Sequence, residues 1–507
     1  MSDPAPAASD TTPRFIRDLE TMVRARYPLV YLVTHEEQRI DAVVAEVAER
    51  HGKQLWEWSI TQGLRMAKTR APSAEDTSNP VTALQSIASL KDANLVVLKD
   101  FHRYLDDASV VRALRELGHS LKVGLTTVLL VSPTLTIPPE LEKDVSVIDV
   151  PLPTVGELLQ LLKDIFGILK KSNRSEVHLT RDDAEALVKA AHGLTLSEAE
   201  NAFAKAIALD NRLDVADVRV ILEEKRQVVR KSGLLEYFPS DESLSAVGGL
   251  EQLKVWLDRR KNAFGAAARD FGLPEPKGLL LLGVQGCGKS LTAKAISAQW
   301  RLPLLRLDMG RIFSGLIGSS EENVRKAIKS AEGLAPVVLW VDEIEKGLAG
   351  SGGGANDTGV AARVFGTLLT WLQEKTAPVF VVATANRIDA LPPELLRKGR
   401  FDEIFFIDLP TANERADIFR IHLAKRRRAP ESFDVAKLAA AAEGFSGAEI
   451  EQAIVSALYD AFADGAQLSQ AGIEKSLAET VPLSRTMVEE IARLRDWAKL
   501  RTRKASA

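Results

Sequence analysis

A glycine-rich run in the second half of this chain limits what that half can fold into. Residues 283–290 have the sequence GVQGCGKS, follow the apolar run Leu279–Leu282 and precede a segment with helical periodicity. Closely spaced glycines between a strand and a helix let backbone N–H groups surround a phosphate at the positive end of the helix. The run predicts a nucleoside triphosphate site in a parallel α/β sheet. The plain alternative is a glycine-rich turn with a solvated lysine.

In such a phosphate loop, the Lys289 ammonium reaches the β- and γ-phosphates and the Ser290 hydroxyl binds Mg²⁺. The predicted ligands of this loop are therefore a nucleoside triphosphate and Mg²⁺. The residues of the loop predicted to contact the nucleotide are Gly283, Val284, Gln285, Gly286, Cys287, Gly288, Lys289, Ser290 and Leu291.

A second strand supplies carboxylates. The apolar run Val337–Val341 ends in Asp342 and Glu343, the pattern of a buried parallel strand. Ligands bind at the carboxyl ends of such strands, so Asp342 is predicted to hold Mg²⁺ through water and Glu343 to polarise the attacking water. Taken alone, two acids at a strand end are a weak indication, because they also occur in solvated turns.

Two further segments follow at the same edge. The strand Val379–Ala383 leads to Asn386, whose amide is predicted to contact the attacking water and a γ-phosphate oxygen, although it could merely stabilise a turn. Residues 395–402 have the sequence LLRKGRFD, in which Arg397 and Arg400 flank a glycine. Two such arginines could also be a solvated surface pair.

The order of these segments resembles the AAA ATPase family. Gly248-Gly249-Leu250 resembles the family's entry segment beside the adenine, and Ile421-His422 resembles the start of its helical lid. The turn 445–450 resembles the lid turn, with Ala448 where related families carry a phosphate-sensing arginine. The resemblance implies that Gly248, His422 and Ala448 contact the nucleotide and that Asn386 is a sensor. It also implies that Arg397 and Arg400 reach the γ-phosphate of a neighbouring subunit, in a homo-oligomeric ring of about six subunits.

Longer segments resemble the "ycf" AAA proteins of algal plastids, cyanobacteria and other bacteria. These segments are 340–346, 363–367, 392–403 and 481–484, with 28–32 near the start of the chain. The likeness extends over nearly the whole chain.

The first half resembles a degenerate copy of the second. Residues 138–154 match 392–411, and residues 191–200 match 442–451. We interpret this as an internal duplication in which each α/β core is followed by a helical lid; accidental similarity of turn chemistry is the alternative. The strand Leu29–Val33 leads to Thr34-His35-Glu36-Glu37 instead of a glycine loop, and Lys99-Asp100-Phe101 replaces the acidic pair. We therefore expect no hydrolysis in the first half.

The predicted fold class is α/β: an AAA-type P-loop sheet with a C-terminal helical lid, preceded by a degenerate AAA-like α/β domain with its own helical subdomain. The predicted segments are a disordered tail (1–13), a degenerate α/β domain (14–153), its lid-like subdomain (154–225), a linker (226–245), the active core (246–410), the helical lid (411–465) and C-terminal helices with a tail (466–507). The helix from Ser484 is expected to pack on the lid. Residues 350–357 are expected to form a flexible loop that faces either a ring channel or solvent.

The composition of the chain limits the classes of partner and the compartment that are expected. With a formal net charge of −3, the chain has no basic excess, so nucleic acid is not an expected partner. The single cysteine, Cys287, excludes an intramolecular disulfide and favours a reducing compartment. Neither a signal segment nor a membrane span is predicted, and the expected location is the cytoplasm. Cys287 is expected to be mainly a small packing residue; a second hypothesis is that the field of the loop lowers its pKa and makes it reactive.

The predicted activity is Mg²⁺-dependent ATP hydrolysis coupled, in a ring, to remodelling of an unknown protein partner. The alternative is an ATP-dependent switch or assembly scaffold. A channel loop with an aromatic residue grips polypeptide in remodelling rings. The matching residues 314–318 have aliphatic Leu316 and Ile317 but no aromatic residue, and Phe313 lies before them. This departure weakens the threading interpretation. A nucleic-acid-dependent ATPase is disfavoured by the charge.

Overall fold

A computed structural model describes residues 13–69, 76–172, 180–210, 212–231, 233–238, 247–313, 319–346, 355–389, 391–397 and 399–506. It divides into two compact units, residues 1–217 and residues 218–507. The predicted disordered tail lies outside the described residues except for Pro13, and so do residues 314–318 of the expected channel loop and residues 350–354 of the glycine-rich loop.

The N-terminal unit is built around a six-stranded sheet with helices on both faces. Its strands are β1 (Leu29–Val33), β2 (Gln54–Ser59), β3 (Gly63–Met66), β4 (Asn94–Lys99), β5 (Thr127–Ser132) and β6 (Val145–Asp149). Its helices are α1 (Arg14–Arg24), α2 (Glu37–Arg50), α3 (Pro80–Ala88), α4 (Ala108–Leu121), α5 (Val155–Ser172), α6 (Arg181–Ala191) and α7 (Leu196–Asp210).

The strand order in this sheet is β3-β2-β4-β5-β1-β6, and every pairing is parallel except that of β3 with β2. Strand β1 is apolar at all five positions because both of its faces are covered. Leu29 and Tyr31 pack towards α3 and α4, whereas Val30 and Leu32 pack towards α1 and α2. Because the central strands run parallel, their carboxyl ends lie at one common edge of the sheet.

The C-terminal unit contains a seven-stranded sheet and a helical lid. Its strands are β7 (Leu235–Phe238), β8 (Gly278–Gly283), β9 (Leu304–Leu307), β10 (Val337–Val341), β11 (Val379–Ala385), β12 (Glu403–Ile407) and β13 (Arg503–Lys504). The helices before the lid are α8 (Val218–Lys231), α9 (Glu251–Asp258), α10 (Ala266–Asp270), α11 (Lys289–Trp300), α12 (Met309–Phe313), α13 (Ser319–Gly333) and α14 (Ala355–Glu374). The lid and the segment after it contain α15 (Ala412–Lys425), α16 (Val435–Ala441), α17 (Gly447–Ala463), α18 (Gln470–Glu479), α19 (Leu483–Thr486) and α20 (Val488–Ala498).

The order in this second sheet is β13-β12-β8-β11-β10-β9-β7. Its five parallel strands β9-β10-β11-β8-β12 match β2-β4-β5-β1-β6 of the N-terminal sheet in order. Each sheet also has an antiparallel strand at the same edge, but β3 follows its partner β2 in the chain, whereas β7 precedes all five parallel strands. The structure therefore confirms the predicted class: a parallel P-loop sheet preceded by a second α/β unit with a similar sheet.

Two segments differ from the sequence-based expectations. Residues 226–231 of the predicted linker belong to helix α8, and residues 235–238 form strand β7, so the described part of the linker contains regular structure. The expectation that the helix after Ser484 packs on the lid is wrong for its apolar face. Leu494, Trp497 and Ala498 of α20 pack on the core of the α/β sheet. Helical periodicity shows that a face is apolar but not which neighbour covers it.

Candidate active site

The glycine-rich run forms the predicted loop between a strand and a helix. Strand β8 ends at Gly283, and α11 begins at Lys289. Gly286 and Gly288 have φ values of +78° and +88°, a region that favours glycine. A Cβ on Gly286 would lie 2.9 Å from the Ser446 Oγ and 3.2 Å from the Ala448 Cβ. A larger residue here would push the lid away from the loop.

Lys289 lies against this loop. Its ammonium donates hydrogen bonds to the carbonyl oxygens of Gly283 (2.8 Å) and Val284 (2.7 Å). Burial lowers the pKa of Lys289 to about 8, against the opposing effect of Cys287 and the nearby carboxylates. A polyphosphate beside this ammonium would favour the protonated form.

The acidic strand lies two positions away in the sheet, with β11 between it and β8. The Asp342 Oδ1 accepts hydrogen bonds from the hydroxyls of Ser290 (3.2 Å) and Thr384 (2.7 Å). A serine hydroxyl beside a carboxylate is a set of hard oxygen donors that suits Mg²⁺. Ser290 and Asp342 are thus the residues that fit a magnesium ion next to the phosphates.

Glu343 and Asn386 meet at the same edge. The Asn386 Nδ2 donates to the Glu343 Oε1 at 3.4 Å, and the Glu343 backbone N–H donates to the Thr384 hydroxyl at 2.9 Å. The Lys346 ammonium lies 2.5 Å from the Glu343 Oε2, and this hydrogen bond raises the pKa of Lys346. The pairing with Lys346 was not predicted from the sequence, although a spacing of three residues after a carboxylate is one at which such pairs form.

A buried acid that the sequence analysis missed supports the asparagine. The Glu345 Oε1 accepts the backbone N–H of Asn386 at 2.8 Å, and Glu345 is 5% exposed. Burial raises the pKa of its carboxyl group. Glu345 therefore holds the backbone of Asn386 where β11 ends. The position of Glu345, two residues after Glu343, was the sequence feature that could have indicated its place in the site.

The lid closes the cleft from the other side. The Ala448 backbone N–H, at the start of α17, donates to the Gly286 carbonyl at 3.0 Å. His422 lies 3.3 Å from the Glu451 Oε1, and burial is the main cause that lowers the pKa of His422. Gly248 packs against Ile418 of α15, so closely that an added Cβ would lie 2.9 Å from its side chain.

These elements enclose a cleft of about 740 Å³. The predicted site residues that line it are Gly248, Gln285, Gly286, Cys287, Gly288, Lys289, Ser290, Leu291, Asp342, Glu343, Asn386, His422 and Ala448. The cleft is large enough for a nucleotide, with phosphate-binding groups at one end and apolar side chains of the lid at the other.

Arg397 and Arg400 lie elsewhere. They line a separate depression with Lys277, Gln373 and Gly399. Arg397 is exposed, and within the described residues the buried NH1 of Arg400 has no hydrogen-bond partner. The two guanidinium groups are therefore not part of the cleft formed by their own chain.

Comparison with known proteins agrees with this geometry. Residues 279–409 match the model of the ATPase family associated with various cellular activities (AAA). Residues 15–150 match the N-terminal domain, and residues 156–232 the second domain, of SpoVK-like AAA ATPases. An uncharacterised AAA domain-containing protein ycf46 from Pyropia yezoensis is 41% identical over 490 residues, which cover 96% of this chain and 97% of that protein.

The chain belongs to the AAA ATPase family. A ycf46 protein from Guillardia theta is 42% identical over 488 residues, covering 96% of this chain and 95% of that protein. A cell division cycle protein 48 homologue from Archaeoglobus fulgidus is 36% identical over 214 residues, which are 40% of this chain and 28% of that protein. Membership of the AAA family implies ATP binding and ATP hydrolysis.

The pKa of Cys287 bears on the hypothesis that the loop makes this thiol reactive. Burial raises this pKa to about 12, outweighing the opposite effect of Lys289. This direction is opposite to the one that a reactive thiol needs, so it favours the interpretation of Cys287 as a small packing residue. No helix among the described residues is both long and apolar enough to cross a bilayer.

The N-terminal unit has a different set of groups at the corresponding edge. Arg39, which is 6% exposed, lies 2.9 Å from the Glu36 Oε2 and 2.8 Å from the Glu157 Oε1. Its NH1 also donates to the Pro151 carbonyl at 2.6 Å. The Glu36 Oε1 accepts the backbone N–H of Leu196, at the start of α7. A cation is present at this edge, but its charge is balanced by carboxylates of the same unit.

Proposed function

We propose that the C-terminal unit hydrolyses ATP with Mg²⁺ and that a ring of subunits couples this reaction to the remodelling of a protein partner. The single observation that carries the proposal is the cleft, which brings the glycine loop, the acidic strand end, Asn386 and the lid together around one volume. A nucleotide in this cleft would meet phosphate-binding groups at one end and the lid at the other.

Each residue has a role that its position supports. Lys289 neutralises phosphate charge, and Ser290 and Asp342 hold Mg²⁺, which when bound stabilises the charge that develops on the phosphoryl oxygens. Glu343 orients and polarises the attacking water, and Asn386 positions Glu343 through the 3.4 Å hydrogen bond. Glu345 fixes Asn386 in turn.

Arg397 and Arg400 act on a neighbouring subunit. Two facts support this: they lie outside the cleft of their own chain, and one Arg400 nitrogen is buried without a hydrogen-bond partner in the described part of the chain. A guanidinium supplied by a second subunit stabilises the charge of the transition state. The active assembly is therefore a closed homo-oligomer, of about six subunits.

A complementation experiment tests whether the arginines of one subunit act on the active site of its neighbour. Glu343→Gln removes the base but keeps the arginines, whereas the double variant Arg397→Ala/Arg400→Ala keeps the base and loses the arginines. Each variant alone should be nearly inactive. In a random equimolar mixture, one interface in four combines an intact base with intact arginines, so we expect about a quarter of the wild-type rate.

The control is Arg420→Ala, because Arg420 is an exposed lid residue that pairs with Asp417 on the same helix face. This variant should keep full activity alone and in mixtures. A mixture that stays inactive while both variants still bind ATP would show that the arginines do not act between subunits.

The output of the cycle is proposed as remodelling, with a nucleotide-dependent switch or assembly scaffold as the alternative. The deciding observation is stimulation of ATP turnover by a protein partner captured with Glu343→Gln, and loss of that stimulation in Leu316→Ala. Turnover that no captured protein changes would favour the switch. We propose a cytoplasmic location and no nucleic-acid partner; stimulation by DNA that falls with salt would contradict the latter.

A further inference from the structure

Residues 503–506 lead from the sheet to the wall of the cleft. Arg503 and Lys504 form strand β13, which pairs in parallel with β12 at the edge of the sheet. The next residue, Ala505, donates its backbone N–H to the Phe406 carbonyl at 3.0 Å and is fully buried. Ser506 then lines the nucleotide cleft. The segment thus runs from the sheet edge to the cleft.

This segment also holds the start of α9. The helix follows Leu250, which has a left-handed backbone conformation and gives no side-chain cap. The first backbone N–H groups of a helix need acceptors from outside the helix. Leu253 donates its N–H to the Ala505 carbonyl at 3.1 Å, and Leu250 donates to the Glu414 Oε1 at 3.1 Å. The entry segment Gly248–Leu250 is therefore fixed from two directions.

The Glu414 carboxylate connects the entry segment with Ser506. Its Oε1 accepts the Ser506 hydroxyl at 2.5 Å as well as the Leu250 N–H, and its Oε2 accepts the Thr411 N–H at 2.8 Å. A Cβ added to Gly249 would lie 2.3 Å from the Glu414 Oε1, so the entry segment packs directly on this carboxylate. Ser506, Glu414 and the entry segment form one continuous wall.

We propose that residues 503–506 are a positioning element for the nucleoside part of the bound nucleotide. They keep the entry segment against Glu414, in the wall of the cleft that also contains Ile418 of the lid. The inference rests on the proposed function, since it assumes that ATP and ADP bind in this cleft. Its consequence is selective: loss of the segment weakens binding of the nucleoside part and leaves binding of the phosphates unchanged.

Isothermal titration calorimetry with ADP and with inorganic tripolyphosphate, each with Mg²⁺, tests the proposal on the full chain. Tripolyphosphate can occupy the phosphate loop but has no nucleoside. Deletion of residues 503–507 should weaken ADP binding about tenfold or more, since several hydrogen bonds are lost, and change tripolyphosphate binding less than about twofold. Thermal melting reports separately whether the deletion unfolds the unit.

If the deletion variant does not fold, point variants of Ser506 still test the proposal. Ser506→Asp places a second carboxylate against Glu414 and should weaken ADP binding about tenfold, whereas Ser506→Ala removes one hydrogen bond and should cost about two- to threefold. Lys499→Ala is the control, because Lys499 lies outside the segment and its exposed ammonium pairs with Asp496. It should bind ADP like the wild type.

The outcomes separate the two proposals. Wild-type protein that binds neither ligand would overturn the proposed function and this inference together. Wild-type protein that binds both ligands, with ADP affinity unchanged in Ser506→Asp and in the deletion, would overturn only the inference. An equal loss for ADP and tripolyphosphate would also overturn it, because the segment would then act on the whole cleft.

Discussion

The two units share a strand order but differ in how charge is balanced at the corresponding edge of their sheets. In the C-terminal unit, Lys289 is a buried cation whose hydrogen bonds go to backbone carbonyls. In the N-terminal unit, Arg39 is a buried cation that pairs with Glu36 and Glu157. The first arrangement leaves a positive charge for a ligand to balance, whereas the second balances it within the chain.

The two units also differ in the contacts that attach the helical lid to the α/β core. In both units, a capping box starts the first lid helix, formed by Thr154 with Glu157 and by Thr411 with Glu414. In the later lid helix of the C-terminal unit, the N–H of the second residue, Ala448, donates to a carbonyl of the glycine loop. In its N-terminal counterpart, the N–H of the first residue, Leu196, donates to Glu36. A carboxylate fixed to a buried arginine thus joins lid and core in one unit, and a glycine loop does so in the other. The same fold can therefore bind an anionic ligand or balance its buried cation with its own carboxylates, depending on the side chains near its strand ends.

The largest expected effect is on the chemistry of the C-terminal unit. Glu343→Gln should lower kcat for ATP hydrolysis by about 10²–10⁴-fold while ADP binding stays near the wild-type value. The measurement is steady-state phosphate release beside calorimetric binding. Asp100→Asn, which changes the acid after the matching N-terminal strand, is the control and should leave kcat unchanged. A large loss in this control would show that the first unit also hydrolyses ATP.

The second prediction concerns the arginine of the N-terminal unit. Arg39→Met should destabilise that unit by about 3–5 kcal/mol, because it leaves two carboxylates without their buried cation. Hydrogen exchange of the β1 and β6 amides, measured by mass spectrometry, reports the unfolding of this unit separately. Arg112→Met removes an exposed arginine paired one turn away with Glu116 and should cost less than about 0.5 kcal/mol. Equal protection in both variants would mean that the buried ion pairs are dispensable.

The third prediction is that ADP affinity depends on pH through the Lys289 ammonium of the C-terminal unit. With the pKa of Lys289 at about 8, the ammonium is present below pH 8 and is lost above it. Since phosphates favour the ammonium, ADP affinity should be constant below pH 8 and fall by up to about tenfold per pH unit above it. Calorimetry in two buffers of different ionisation enthalpy should detect proton uptake on binding at pH 9. No proton uptake at that pH would rule out this assignment.

The smallest expected effect concerns the cysteine of the glycine loop. With the pKa of Cys287 at about 12, only about one thiol in ten thousand is ionised at pH 8. Iodoacetamide should therefore modify the folded protein at least about a hundredfold more slowly than the urea-unfolded chain. Cys287→Ser should keep ATP turnover within about twofold of the wild type. Rapid alkylation of the folded protein would show that the loop activates the thiol after all.

Much of this site was predictable because its groups follow buried strands directly. Asp342, Glu343 and Asn386 directly follow strands, and Lys289 begins the helix after the glycine loop that follows β8. Parallel strands bring their carboxyl ends to one edge. Other contacts were not predictable in this way. Glu414 and Ser506 are 92 residues apart in sequence and meet through a strand of two residues, which is too short to show a periodic pattern.

Local patterns of apolar, glycine and charged residues were enough to predict the two α/β units, the glycine loop and the loss of that loop in the first unit. The folded structure was needed to show that Arg39 is balanced by Glu36 and Glu157, that α20 packs on the sheet, and that residues 503–506 reach the cleft. A pattern shows which side chains need burial or a partner, whereas the partner itself comes from distant parts of the chain that only folding brings together.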